Sequence, residues 1–163
     1  MKLYTCILLG IIFSVFESSL LSFIPAEFLK PDVTIPFIIY ITFFTTPHAG
    51  LITSIVMGII QEVLSTSPNG SIIFSKVLIF LLALFFKNKL YIDSRYSFSY
   101  ICAGAVVCES IIYILLSWLA KGETKHIENV IFFMLPNAVF TGFIAIFIFS
   151  FVEFLNIKFF NKD

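Results

Sequence analysis

The stretch GLITSIVMGIIQE, residues 50–62, places Gly50, Ser54, Gly58 and Glu62 at intervals of four in an otherwise apolar segment. Residues four apart lie on one face of an α-helix, so the pattern predicts a helix with one stripe of small residues that ends in a carboxyl group. In a membrane, small residues let a neighbouring backbone approach closely. The stripe is therefore predicted to contact another helix and not lipid.

Two partners are possible for this stripe. Internal packing would place another helix of the same chain against it. Alternatively, Gly50, Ser54, Gly58 and Glu62 form a docking face for the helix of a separate membrane protein. A shorter pair, Gly10 and Ser14, allows the same two interpretations in the first apolar segment.

The composition indicates a membrane protein. Of 163 residues, 60% are hydrophobic and 12% are charged, whereas soluble domains carry about 25% charged residues. The formal net charge is zero, so the basic surface that nucleic-acid binding requires is missing. We therefore expect no nucleic-acid partner, and membrane lipid as the surrounding medium.

Six apolar segments are candidate membrane spans, and about 20 helical residues are needed to cross a bilayer core. We predict an all-α membrane protein, a compact bundle of about six transmembrane helices in a single integral membrane domain, 1–163. The predicted spans are residues 3–24, 32–46, 48–64, 71–90, 97–119 and 131–156. Because the second and third segments are short, a re-entrant pair is the alternative there.

The distribution of Lys and Arg favours both termini in the cytoplasm, because cytoplasmic loops carry an excess of basic residues. With an even number of spans, and with Lys76 left out as intramembrane, six basic residues fall on one side and three on the other. The six are Lys2, Lys87, Lys89, Arg95, Lys158 and Lys162, and the three are Lys30, Lys121 and Lys125.

Four ionisable residues interrupt the apolar segments: Glu17, Glu62, Lys76 and Glu109. Glu62 and Lys76 flank the turn at 65–70, so a salt bridge between them is one hypothesis. The alternative is that Lys76 snorkels to the interface and Glu62 hydrogen-bonds to a loop. A transport path through the acids is disfavoured, because their predicted depths differ. We interpret these residues as structural.

No catalytic or metal-binding motif is apparent. His48 and His126 fall in predicted loops on opposite sides of the membrane, so they cannot share a catalytic triad. Cys6, Cys102 and Cys108 lie in apolar stretches without metal-ligand spacing and are expected to be small packing residues. We expect no enzyme activity, no cofactor and no metal.

Three stretches resemble one family of membrane proteins. They are KPDVTIPFIIY at 30–40, TPHAG at 46–50 and MGIIQEVLSTSPNG at 57–70. Together they are similar to MreD, the rod shape-determining membrane protein, with Pro31, Asp32, Ser65 and Gly70 as turn positions. Glu62 stands where the family commonly carries aspartate. Glu109 and Asn137 resemble polar positions in the fifth and last spans.

This resemblance implies a scaffold of the cell-elongation machinery in the bacterial cytoplasmic (inner) membrane. Its implied partner is MreC, and through MreC the scaffold would link MreB filaments to peptidoglycan synthases of the RodA and penicillin-binding type. The resemblance also implies a fold similar to that of the substrate-binding component of vitamin transporters. A small-molecule (vitamin) binding component of a membrane transporter is therefore the alternative function.

Overall fold

A computed structural model describes residues 3–23, 32–64, 70–90, 92, 94–121 and 127–159. Within these residues the regular secondary structure is helical, as predicted. There are six helices: α1 Leu3–Phe23, α2 Thr34–Phe44, α3 Pro47–Leu64, α4 Ser71–Lys87, α5 Arg95–Lys121 and α6 Ile127–Phe159. Each helix begins and ends within four residues of a predicted span.

Three of these helices are long and apolar enough to cross a membrane by length and composition. The qualifying segments are Pro47–Leu64, Arg95–Leu116 and Val130–Leu155. The apolar stretches Tyr4–Glu17 and Thr34–Phe44 are shorter. The count of six membrane spans therefore stays a prediction, and so does the likeness to vitamin transporters.

Helix α2 occupies the centre of the fold, and it contacts each of the other five helices. All its residues from Thr34 to Thr42 are buried. Eleven residues cover about 16 Å, roughly half of a 30 Å bilayer core. Whether α2 and α3 cross the bilayer or form a re-entrant pair stays a prediction.

The C-terminal end of α2 is held by a lysine from α4. Lys87 Nζ donates hydrogen bonds to the carbonyl oxygens of Thr42 and Thr45, at 2.7 and 3.1 Å. The Thr42 carbonyl lies in the last turn of α2 and Thr45 is the residue that follows the helix, where the helix itself offers no donors. A cation is also favourable at the negative end of the helix dipole. Lys87 therefore stabilises the C-terminal end of α2, a helix of only eleven residues.

The small-residue stripe of α3 packs inside this chain. A Cβ atom on Gly58 would lie 2.8 Å from the Cα atom of Ile73 in α4, and one on Gly50 would lie 2.9 Å from the Phe80 ring and from Thr42 Oγ1. Ser54 is also buried. Because α2 and α4 already occupy the stripe, its interpretation as a docking face for a separate protein is corrected to internal packing.

We expect Gly58→Ala to destabilise the protein, because the added methyl group would meet the α4 backbone. Overpacking of this kind costs about 1–3 kcal/mol. Gly104 in α5 is the matched control, since a Cβ atom there meets nothing within 4 Å. Thermal unfolding in detergent, followed by the single Trp, should show a lower midpoint for Gly58→Ala than for Gly104→Ala. Equal midpoints would contradict the close α3–α4 contact.

Candidate functional site

Polar side chains from every helix, or from the residues just before it, meet around the N-terminus of α2. We call this group the polar cluster, and it consists of Glu17, Asp32, Gln61, Lys76, Glu109 and Thr141. Five of these residues lie within helices, whereas Asp32 lies two residues before the start of α2.

Asp32 caps α2. Its Oδ1 atom accepts hydrogen bonds from the backbone N–H groups of Thr34 and Ile35, at 2.8 and 3.1 Å, and from the Thr34 hydroxyl group. A carboxylate at this position satisfies free helix donors and faces the positive end of the helix dipole. The backbone N–H of Asp32 donates to Thr141 Oγ1 at 3.2 Å, which ties the start of α2 to α6.

Lys76 is the only cation of the polar cluster, and its side chain is 1% exposed. Its Nζ atom forms salt bridges with Asp32 Oδ2 and with Glu109 Oε1, the latter at 2.8 Å. A buried ammonium group is tolerated only when such partners replace its hydration. Lys76 therefore joins α2, α4 and α5 and does not extend to the membrane interface, so the predicted snorkelling is wrong.

Glu17 connects α1 and α3 to the polar cluster. Its carboxyl group is buried and accepts hydrogen bonds from the Val33 backbone N–H at 3.1 Å and from Gln61 Nε2 at 3.0 Å. It also lies close enough to Lys76 and Asp32 to interact with them electrostatically. Glu17 therefore connects α1 and α3 to the N-terminus of α2.

Glu62 lies outside the polar cluster. Its carboxyl group accepts hydrogen bonds from the backbone N–H of Gly70 and from that of Ile73, the latter at 3.3 Å. Gly70 has a φ of 89°, a left-handed conformation that favours glycine. Glu62 thus caps α4, as the hydrogen-bonding alternative predicted, and the predicted Glu62–Lys76 salt bridge is wrong.

Only part of the polar cluster is predictable from the sequence. Glu17, Lys76 and Glu109 were predicted as structural residues but not as neighbours, and Asp32 was predicted only as a turn position. Gln61 and Thr141 were missed, because a lone amide or hydroxyl group in an apolar helix carries no spacing signal. Pro31 and Ser65 lie outside the described residues.

Two further features border the cluster on opposite sides along α4. A polar cavity of about 340 Å³ is lined by Ser71, Ile72, Ser75, Glu109, Ser110, Tyr113, Val130 and Asn137. An apolar groove of about 250 Å³ lies between α4 and α5 beside α2. It is lined by Ile39, Phe43, Ile79, Leu82, Ala83, Phe86, Leu90, Ile101, Gly104, Ala105 and Cys108. We call these the polar cavity and the α4–α5 groove.

Cys108 differs from the other two cysteines. Cys6 and Cys102 are buried as expected, whereas Cys108 is exposed in the α4–α5 groove, which corrects its interpretation as a core packing residue. Within the described residues, no group of three or more His, Cys, Asp and Glu side chains is placed to hold a metal ion. The exposed Cys108 thiol is accessible for cross-linking in the groove.

The fold and the polar cluster define a helical membrane protein whose internal charges tie its helices together. A family model described as the rod shape-determining protein MreD matches residues 1–159. The chain therefore belongs to the MreD family and has a role in rod shape determination. Comparisons with curated proteins and with solved structures gave no match.

We expect Lys76→Met to be strongly destabilising, because it leaves Asp32 and Glu109 buried without a cation. Removing one partner of a buried ion pair costs about 3–5 kcal/mol. Lys89→Met is the control, since Lys89 is exposed in the turn that follows α4. Thermal unfolding in detergent should show a large loss for Lys76→Met, partly restored by adding Glu109→Gln. Equal unfolding midpoints for Lys76→Met and Lys89→Met would contradict the pairing.

Proposed function

We propose that this protein is a non-enzymatic scaffold of the bacterial cell-elongation machinery that docks an MreC-like membrane protein. Through that partner it links MreB filaments to peptidoglycan synthases of the RodA and penicillin-binding type. The scaffold resides in the cytoplasmic membrane with both termini in the cytoplasm. The observation that carries the docking proposal is the α4–α5 groove.

The apolar lining of the groove suits the side chains of a transmembrane helix. Its α4 residues Ile79, Leu82, Ala83 and Phe86 follow helical spacing, and those of α5 include Gly104 and Cys108, four residues apart. The groove therefore runs along both helices. Gly104 has no atom within 4 Å of its Cβ position, so a partner backbone can approach there.

The α3 stripe does not offer this opportunity, because α2 and α4 already fill it. Gly104 and Cys108 are exposed, whereas Gly50 and Gly58 are buried. Lipid tails that do not match the shape of an apolar groove make few van der Waals contacts with its walls. A rigid helix that fits the groove makes more of these contacts, which favours helix docking over lipid. A single-span partner such as MreC matches this requirement.

The polar cluster contributes to the proposal by fixing the geometry of the groove. Lys76 connects α4 to α5 through Glu109, at the end of the groove nearest Ile79. Lys87 connects the other end of α4 to α2. The groove is thereby held open between two polar connections, which favours docking without rearrangement.

We expect Gly104→Leu to reduce co-purification of a co-expressed MreC-like partner by about tenfold or more, which corresponds to at least about 1.4 kcal/mol. The leucine fills the groove without disturbing the fold, because it faces open space. Val139→Phe is the control, since Val139 is exposed on α6 away from the groove. Unchanged partner recovery with Gly104→Leu would remove the groove from the proposal.

Cys108 provides a second test of the same surface. We expect it to form a disulfide with a cysteine placed at one helical face of the partner's membrane span, since bonding requires Cβ atoms about 4 Å apart. Buried Cys6 and Cys102 serve as internal controls. Cross-linking at every partner position, or at none, would contradict a defined docking geometry.

A further inference from the structure

The polar cavity lies at the opposite end of the polar cluster from the α4–α5 groove, and the two share no lining residue. Its walls come from the N-terminal part of α4, the middle of α5 and the N-terminal half of α6. A volume of about 340 Å³ lies at the lower end of the range for small-ligand sites. The polar cavity is therefore a separate candidate site from the α4–α5 groove.

The lining of the cavity is rich in oxygen atoms that can accept hydrogen bonds. Ser71, Ser75, Ser110 and Tyr113 contribute hydroxyl groups, Asn137 contributes an amide, and Glu109 contributes the only carboxyl group of this lining. Hydroxyl and carboxyl oxygens accept hydrogen bonds, and a primary ammonium group offers three donors. This combination favours a ligand that donates several hydrogen bonds from a positive centre.

The charges next to the cavity also favour a positively charged ligand. The polar cluster contains three carboxyl groups, from Glu17, Asp32 and Glu109, and one ammonium group, from Lys76. Glu109 contacts Lys76 and also borders the cavity, whereas Lys76 itself does not line it. A cation in the cavity would bring a second positive charge to this group, whereas an anion would face the carboxyl group of Glu109.

The position of the cavity favours a lipid as the source of the ammonium group. In the described residues α4 and α6 do not contact each other, although both contribute to the cavity wall. The volume accommodates a headgroup, and the gap between α4 and α6 would let acyl chains remain in the bilayer. A free amine from solution offers the same ammonium chemistry and is distinguished by experiment.

We infer that the polar cavity binds a primary ammonium group, supplied by the headgroup of a lipid such as phosphatidylethanolamine, with Glu109 as its charged acceptor. Serine and tyrosine hydroxyl groups accept the remaining hydrogen bonds. Bound in this way, the headgroup contacts α4, α5 and α6 together and stabilises their arrangement at this end of the bundle.

The test uses the full chain reconstituted in nanodiscs of mixed phosphatidylethanolamine, phosphatidylcholine and phosphatidylglycerol, followed by native mass spectrometry of retained lipid. We expect selective retention of phosphatidylethanolamine, because the quaternary ammonium of phosphatidylcholine has no N–H donors. Glu109→Gln should lower this retention by about tenfold, because a neutral amide oxygen replaces the charged acceptor and weakens the hydrogen bond to the ammonium group.

Glu109→Gln removes one partner of the Lys76 salt bridge and could prevent folding. Ser110→Leu fills the cavity but keeps the Glu109–Lys76 pair, so it tests the same site in a folded protein. Ser150→Leu in α6 is its matched control, because both hydroxyl groups donate to the carbonyl four residues earlier, at 3.0 and 2.9 Å. We expect Ser110→Leu to lose phosphatidylethanolamine retention and Ser150→Leu to keep it. Equal retention in the two variants would overturn the inference.

Titration of the detergent-purified chain with ethanolamine separates the two sources of the ammonium group. Binding of ethanolamine that Ser110→Leu abolishes, without selective lipid retention, assigns the cavity to a soluble amine. Selective retention of phosphatidylethanolamine without ethanolamine binding assigns it to the lipid. If the wild-type chain neither binds ethanolamine nor prefers phosphatidylethanolamine over phosphatidylcholine, the inference is wrong.

Discussion

The buried ammonium group of Lys76 is the constraint on which the rest of the structure depends. In a medium of low dielectric, an unpaired charge costs far more than the chain can recover from packing. Lys76 therefore requires carboxyl groups at its own depth, and Asp32 and Glu109 provide them. Because these three residues lie before α2, in α4 and in α5, their pairing determines how these helices are arranged.

The central position of α2 follows from this arrangement. Asp32 pairs with Lys76 and caps α2 at the same time, so the short helix begins at the depth of the buried charge. Lys87 holds the other end of α2 through its last carbonyl groups. Two lysines eleven residues apart on α4 thus hold both ends of a helix whose own length is eleven residues. The proposed groove and the inferred ligand cavity lie on either side of this central connection.

The sequence was sufficient to predict the helices and their boundaries, because apolar runs and turn residues are local signals. It also predicted that Gly50, Ser54 and Gly58 contact a helix. It did not identify which helix, since spacing defines a face but not the neighbour. The partners of Lys76 were predicted wrongly for a related reason: Glu62 is 14 residues away, whereas Asp32 and Glu109 are 44 and 33 residues away. Hydropathy gives the depth of a residue but not its direction around the helix axis.

Solid-state NMR on the chain in lipid measures the central interaction directly. Lysine Nζ can be labelled with ¹⁵N and the carboxyl carbons of Asp and Glu with ¹³C, and the spectrum of Lys76→Arg, which keeps the positive charge, identifies the Lys76 signals by difference. The structure predicts dipolar coupling from Lys76 to two carboxyl carbons, as for N···O separations of about 4 Å or less. Coupling to Glu62, or to no carboxyl carbon, would contradict the account.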